Sequence, residues 1–218
     1  RKIHTALANY FLGFKGTPTR KVDELPWQLA EANAWEPLYD ILADNDFFQA
    51  LHEHSRIDLM TYWARVEAKS DFSRVKAYQI IVDHPEKVGL HVLNWLSLMY
   101  MDTGYFEQAM ALYQAQDRIC RQQEDMAALQ LNLGNQAYVM QIWGNLEKAM
   151  EMHKEEESIC RQLGNLEGLQ RSLGNQAGIL KNWGKLKEAM TSVKAQERIC
   201  RNLGDLDGLQ RSLGIQGL

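Results

Sequence analysis

Apolar residues recur at spacings of three and four along most of the chain, the signature of helices with one buried face. Between residues 126 and 143, Leu129, Leu133, Ala137 and Met140 fall on one side. Between 146 and 163, Leu146, Ala149, Met150, His153 and Ile159 do the same. The spacing predicts a helix over each segment. Gly144 between them suits a left-handed helix end. A Leu-Gly-Asn turn at 163–165 closes the pair, and Leu-Gly-Asp repeats it at 203–205. Two antiparallel helices joined by a short turn make a hairpin that cannot bury its apolar stripe alone, so hairpins must stack.

The pattern repeats with a fixed step of 40 residues. Cys120, Cys160 and Cys200 keep it, as do Met110, Met150 and Met190. So do Gly104, Gly144 and Gly184, Gly134, Gly174 and Gly214, and Trp143 and Trp183. Segments 121–160 and 161–200 are identical at nearly half their positions, and a further copy runs from Arg201 to Leu218. A weaker copy precedes them, with Leu93, Gly104, Ala109, Met110 and Ile119 in register. Such a period predicts an all-α fold, a solenoid of antiparallel helix hairpins. The expected division is a helical region over 1–83 and repeats over 84–120, 121–160, 161–200 and 201–218.

The repeat resembles the tetratricopeptide repeat (TPR). Ala137 and Ala177 fall on the small position of its first helix, and Ala109, Ala149 and Ala189 on the alanine of its second. Tyr113, His153 and Val193 take the bulky position beside that alanine. The unit length is similar to the long-helix subclass of Pins-like and kinesin-light-chain-like scaffolds. The resemblance covers about 84–218 and implies a right-handed superhelix.

Residues 1–83 do not keep the step but still read as helices, at about 1–13, 21–33, 35–43, 45–54, 56–69 and 73–83. Gly16-Thr17-Pro18 is turn chemistry. The string Arg20-Lys21-Val22-Asp23-Glu24-Leu25-Pro26-Trp27-Gln28-Leu29-Ala30-Glu31-Ala32 is distinctive. It is followed by Trp35, Leu38, Leu42, Asp44, Phe47, Phe48, Leu51, Tyr62 and Trp63, and preceded by His4, Leu7, Ala8, Tyr10 and Phe11. Together these resemble the segment after the winged-helix part of STAND ATPases of the nephrocystin-like and Apaf-like kinds. That resemblance implies a ligand-sensing part of a signalling ATPase whose nucleotide site lies upstream of Arg1. The aromatic residues Trp27, Trp35, Phe47, Phe48, Tyr62 and Trp63 are expected in the core.

Composition narrows the classes. Of 218 residues, 45% are hydrophobic and 24% charged, so the chain folds rather than staying disordered. A net charge of −4 leaves no basic footprint for nucleic acid. No apolar run is long enough to span a bilayer. The opening Arg1-Lys2-Ile3-His4 carries neither a start methionine nor a signal peptide, which marks a piece of a longer or processed protein. Three cysteines suit a reducing compartment, and the cytoplasm is the expected location.

Candidate chemistry is sparse. The string Gly178-Ile179-Leu180-Lys181-Asn182-Trp183-Gly184-Lys185-Leu186 departs from a phosphate-binding loop by one extra residue and by Leu where a hydroxyl should bind magnesium. Cys120, Cys160 and Cys200 sit one repeat apart, too far to share a metal ion, and are expected as small buried residues. His52 and His54 diverge on a helix. His153 pairs by spacing with Glu157, and Glu155-Glu156-Glu157 reads as a solvated face. No catalytic constellation, metal or cofactor is expected.

The positions of interest lie on the first helices, away from the core. In TPR-like arrays these line the concave face, where a protein or peptide is held. Here they are Asn135 and Asn175, with Leu131, Arg171 and Arg211 four residues earlier in each copy, and Tyr138, Gln141 and Lys181 one or two turns on. Asn offers a donor and an acceptor and can bond an extended backbone. Arg171, Arg211 and Lys181 add attraction for acidic groups. Alternatively, the asparagines bond neighbouring helices and set the stacking. Ile215 ends the ladder. The chain therefore reads as a non-catalytic interaction module, or as a scaffold that self-associates.

Overall fold

The computed structural model describes residues 1–216, with side chains through residue 214. Among them every regular element is helical. The chain forms two compact units, Arg1–Gln108 and Ala109–Leu218.

The first unit holds α1 (Lys2–Leu12), α2 (Thr19–Ala32), α3 (Trp35–Ala43), α4 (Asn45–His54), α5 (Arg56–Lys69), α6 (Arg74–Ala77), α7 (Gln79–Asp83) and α8 (Leu90–Asp102). Single capping residues set the junctions. The Asp44 carboxylate accepts the Phe47 amide at 2.9 Å, and the Ser55 hydroxyl accepts that of Asp58 at 3.2 Å. Each therefore ends one helix and starts the next. Leu25, Leu38, Leu42, Phe48, Leu59, Trp63 and Tyr78 are fully buried in the core. The helix expected over 73–83 is divided at Tyr78. The buried Tyr78 hydroxyl donates to the Leu42 carbonyl at 2.6 Å and accepts from the Trp63 indole at 3.1 Å. Of the expected core aromatics, Phe47, Phe48 and Trp63 are buried and Trp35 and Tyr62 half-buried. Trp27 is instead exposed, packing edge-on against His4.

The helix α9 (Phe106–Gln122) leads into the second unit. There follow α10 (Met126–Ile142), α11 (Leu146–Leu163), α12 (Leu166–Asn182), α13 (Leu186–Leu203) and α14 (Leu206–Gln216). Within the second unit α10 packs on α11, α11 on α12, α12 on α13 and α13 on α14, which is the neighbour-to-neighbour order of an α-solenoid. Ala137, Ala149 and Ala177 are buried at the helix contacts, where a small side chain lets the backbones approach. Asp125, Asn145, Asn165 and Asp205 cap α10, α11, α12 and α14 through their side chains. Lys185, in the register of Asn145, gives α13 no such bond.

The turn between hairpins requires a left-handed residue. Gly164 and Gly204 supply it at φ +67° and +70°. One repeat earlier the same position is Glu124, held at φ +55°. Among the described residues no helix is long and apolar enough to cross a membrane.

Candidate binding groove on the first-helix face

The first helices α10, α12 and α14 present one side to α11 and α13 and the other to solvent. On the solvent side a pocket of about 580 Å³ opens between them. Leu131, Asn135 and Tyr138 of α10 line it, with Arg171 and Asn175 of α12 and Arg211 of α14. The 40-residue register explains the convergence, since equivalent positions on stacked helices fall side by side. Gln141 and Lys181 do not line this pocket. Gln141 instead turns inward, its amide nitrogen 2.9 Å from His153 Nε2.

Among the described residues no hydrogen bond from the Asn135 or Asn175 side chain links neighbouring helices. Bonds between helices come from residues three positions earlier. The Asn132 amide donates to the Tyr113 carbonyl at 2.8 Å, and the Ser172 hydroxyl donates to the His153 carbonyl at 2.7 Å. The Gln176 amide adds a bond to the same His153 carbonyl at 3.3 Å. Among the described residues the Asn135 and Asn175 side chains make no hydrogen bond and face the pocket. Ile215, at the next rung, lies beyond the described side chains.

Two glycines thin the pocket floor. A β-carbon added at Gly134 would stand 2.8 Å from Glu156 Oε1, and one at Gly174 would stand 2.6 Å from Gln196 Nε2. The absent side chains bring the polar groups of α11 and α13 up beneath the groove. The Gln196 side chain lines the pocket although only 2% of the residue is exposed.

Glu156 corrects the expectation of a solvated acidic run. It and His153 are fully buried, with His153 Nδ1 2.9 Å from Glu156 Oε2. Gln141 holds the other ring nitrogen, Nε2, so that Nδ1 faces the carboxylate. Glu156, rather than the Glu157 suggested by spacing, is the histidine's partner. Glu157 pairs with Arg161 at 2.7 Å on the helix surface. The second Glu156 oxygen has no hydrogen bond and lies 3.5 Å from Arg171, whose side chain is 47% exposed. The signal that could have revealed this network is the register itself. Glu156 shares its position with Gln116 and Gln196, and all three are buried.

Cys120, Cys160 and Cys200 are buried and unpaired. Burial raises all three thiol pKa values, Cys160 to about 11, with the Glu156 carboxylate adding to the burial effect there. Among the described residues no group of three or more His, Cys, Asp or Glu side chains is arranged to hold a metal ion.

Comparison with known proteins agrees with this architecture. No family model matches the chain. Over 70 residues, 32% of its length, it is 34% identical to a TPR repeat-containing protein of Dictyostelium discoideum. That stretch spans 4% of the relative's own length. Among solved structures, BtubC (BKLC) from P. vanneervenii superposes with a TM-score of 0.58 over 94% of this chain and 88% of that one, at 17% identity. At that identity the likeness is one of fold. The helix hairpins, their 40-residue register and these similarities identify the chain as an α-solenoid with TPR-like helical repeats.

Proposed function

We propose that this chain is a non-catalytic protein-interaction module. Its first-helix groove holds an extended peptide segment that carries an acidic group. The observation that supports this reading is the state of Asn135 and Asn175. Both face the same pocket with their hydrogen-bonding groups unused, while Asn132 and Ser172 hold the helices together. A peptide backbone laid along the groove matches their paired donors and acceptors. Arg171 and Arg211 supply positive charge, and Leu131 and Tyr138 supply apolar contact. An open groove between helices is suited to a chain segment rather than to a reaction that must exclude water.

The finer context is a cytoplasmic STAND-type signalling ATPase, with this groove as its sensor. That part rests on the resemblance carried by His4 to Trp63, with the string 20–32 at its centre, and is tested by reading the gene upstream of Arg1 for a phosphate-binding loop. A ligand would act as a switch only by binding the on and off states unequally.

The binding reading is tested with an immobilised library of ten-residue peptides, capped at both ends. The chain is expected to capture acidic sequences. Asn135→Ala/Asn175→Ala is expected to lose them while keeping its helical content and melting temperature. Equal capture by the double variant would move the site elsewhere. A scaffold is the second reading, favoured by Leu206 and Leu213, which α14 leaves exposed. Sedimentation at rising concentration separates it, since only a self-assembling scaffold gains mass.

A further inference from the structure

The position shared by Gln116, Glu156 and Gln196 carries an amide, a carboxylate and an amide in successive repeats, all buried. Glutamine fills it twice, so packing does not require a charge there. A buried carboxylate is costly unless it is paired. At Glu156 the chain adds His153, where the neighbouring repeats carry Tyr113 and Val193, and fixes that ring with Gln141. The pairing uses only Oε2. Oε1 is left beneath the Gly134 opening, without a hydrogen bond and 3.5 Å from the Arg171 guanidinium.

One repeat on, the same geometry lacks the charge. Gly174 stands over Gln196, and Arg211 takes the register of Arg171. Among the described residues Arg211 makes no ion pair. Asp205 and Glu167 border it without forming an ion pair to it, and the Asp205 oxygens accept from the Gly208 amide at 2.9 Å and from Gln170 at 3.0 Å. The two arginines of the groove are equivalent in sequence register, and among the described residues only Arg171 forms an ion pair.

We propose that Glu156 is a specificity-determining residue. It neutralises Arg171 from below and leaves Arg211 as the seat for the ligand's acidic side chain. A strictly periodic groove would accept an acidic peptide in two registers, one repeat apart. Glu156 removes one of them, so the ligand binds with its acid at the α12–α14 end. This inference rests on the groove reading above and goes beyond it by assigning register.

The probes are the tightest-binding capped ten-residue peptide with a single Glu taken from the library, and its Glu→Gln counterpart, followed by fluorescence anisotropy. Arg211→Gln is expected to weaken the Glu peptide about tenfold or more, the scale of one charge-assisted contact. The Gln counterpart should be little affected. Arg171→Gln is expected to change Glu-peptide affinity by less than about threefold. In the Glu156→Gln background the two arginine substitutions become equally damaging. Equal losses in the wild-type background, or a loss confined to Arg171, overturn the role of Glu156 and leave the groove standing. No captured peptide, or peptides indifferent to both arginines, removes the groove reading itself.

Two further measurements guard against a folding defect. His153→Val/Glu156→Gln copies the Val193 and Gln196 pair of the next repeat and replaces Glu156→Gln if that variant loses helix. Phenylglyoxal labelling of the wild-type chain, mapped by mass, needs no ligand. Arg171 is expected to react several-fold more slowly than Arg211, and equal rates overturn the proposal.

Discussion

Replacing Gly134 by Ala is the sharpest perturbation available in the groove floor. In a helix interior the exchange favours folding by about 1 kcal/mol, because glycine loses more backbone freedom. At Gly134 a second effect opposes it. The new β-carbon would stand 2.8 Å from Glu156 Oε1, 3.1 Å from its Cδ and 3.2 Å from Oε2. Those atoms belong to a buried carboxylate tied to His153 at 2.9 Å, so they cannot swing aside as an exposed chain would. Overpacking of this kind costs about 1–3 kcal/mol. Gly178, also on a first helix, is the control, because an added β-carbon there meets nothing within 4 Å. Gly178→Ala is expected to stabilise by about 1 kcal/mol. The difference between the two variants cancels helix propensity and isolates the steric term, expected at about 1–3 kcal/mol. Urea unfolding followed by circular dichroism reads both midpoints. If Gly134→Ala stabilises as much as Gly178→Ala, Glu156 does not press against the first helix and the closeness of the groove floor is wrong.

Other outcomes follow from the same register. Glu124→Gly is expected to raise the urea midpoint. Relieving a left-handed non-glycine residue gains about 1–2 kcal/mol, against about 0.5–1 kcal/mol of added backbone freedom. His153→Ala, which strips a buried carboxylate of its partner, is expected to cost about 3–5 kcal/mol in the same assay. His153→Val/Glu156→Gln should recover most of that loss. Lys185→Asn gives α13 the cap its neighbours have and is expected to add about 0.5–1 kcal/mol. Alkaline stability carries a defined sign. Folded Cys160 holds its proton to about 11, above the ordinary thiol value of 9.0, because burial disfavours the thiolate. The folded state then binds more protons between these values. Its stability is full below the lower value and falls as pH rises toward the upper one. Urea midpoints across that range are expected to decline, and less steeply in Cys160→Ala.

The repeats were legible because their period constrains each helix several times over. The helices expected at 126–143 and 146–163 are Met126–Ile142 and Leu146–Leu163. The first unit was legible helix by helix wherever a capping residue or a turn string marked the junction. It failed at Tyr78, whose burial with Trp63 and Leu42 is a tertiary event that no local pattern announces. The groove shows the same division. Register alone aligns Asn135 with Asn175 and Arg171 with Arg211 on one face. Register does not say which side chain turns inward, and Gln141, expected in the groove, bonds His153 instead. Glu156 was hidden among Glu155 and Glu157 because charge runs usually face water. Only the buried glutamines at the matching positions mark it as internal. Glu124 was missed because the first copy spells its turn Gln-Glu-Asp rather than Leu-Gly-Asn, leaving no glycine to flag the left-handed position.

The central claim is that a peptide lies along the first-helix groove. Photocrosslinking tests it most directly, with benzoylphenylalanine placed at Tyr138, whose side chain is exposed in the groove, and separately at Ser158, exposed on the second helix α11. The library peptide is expected to crosslink at 138 and not at 158, and an excess of unlabelled peptide should abolish the product. Crosslinking at 158 with none at 138 would place the ligand on the opposite face and contradict the account.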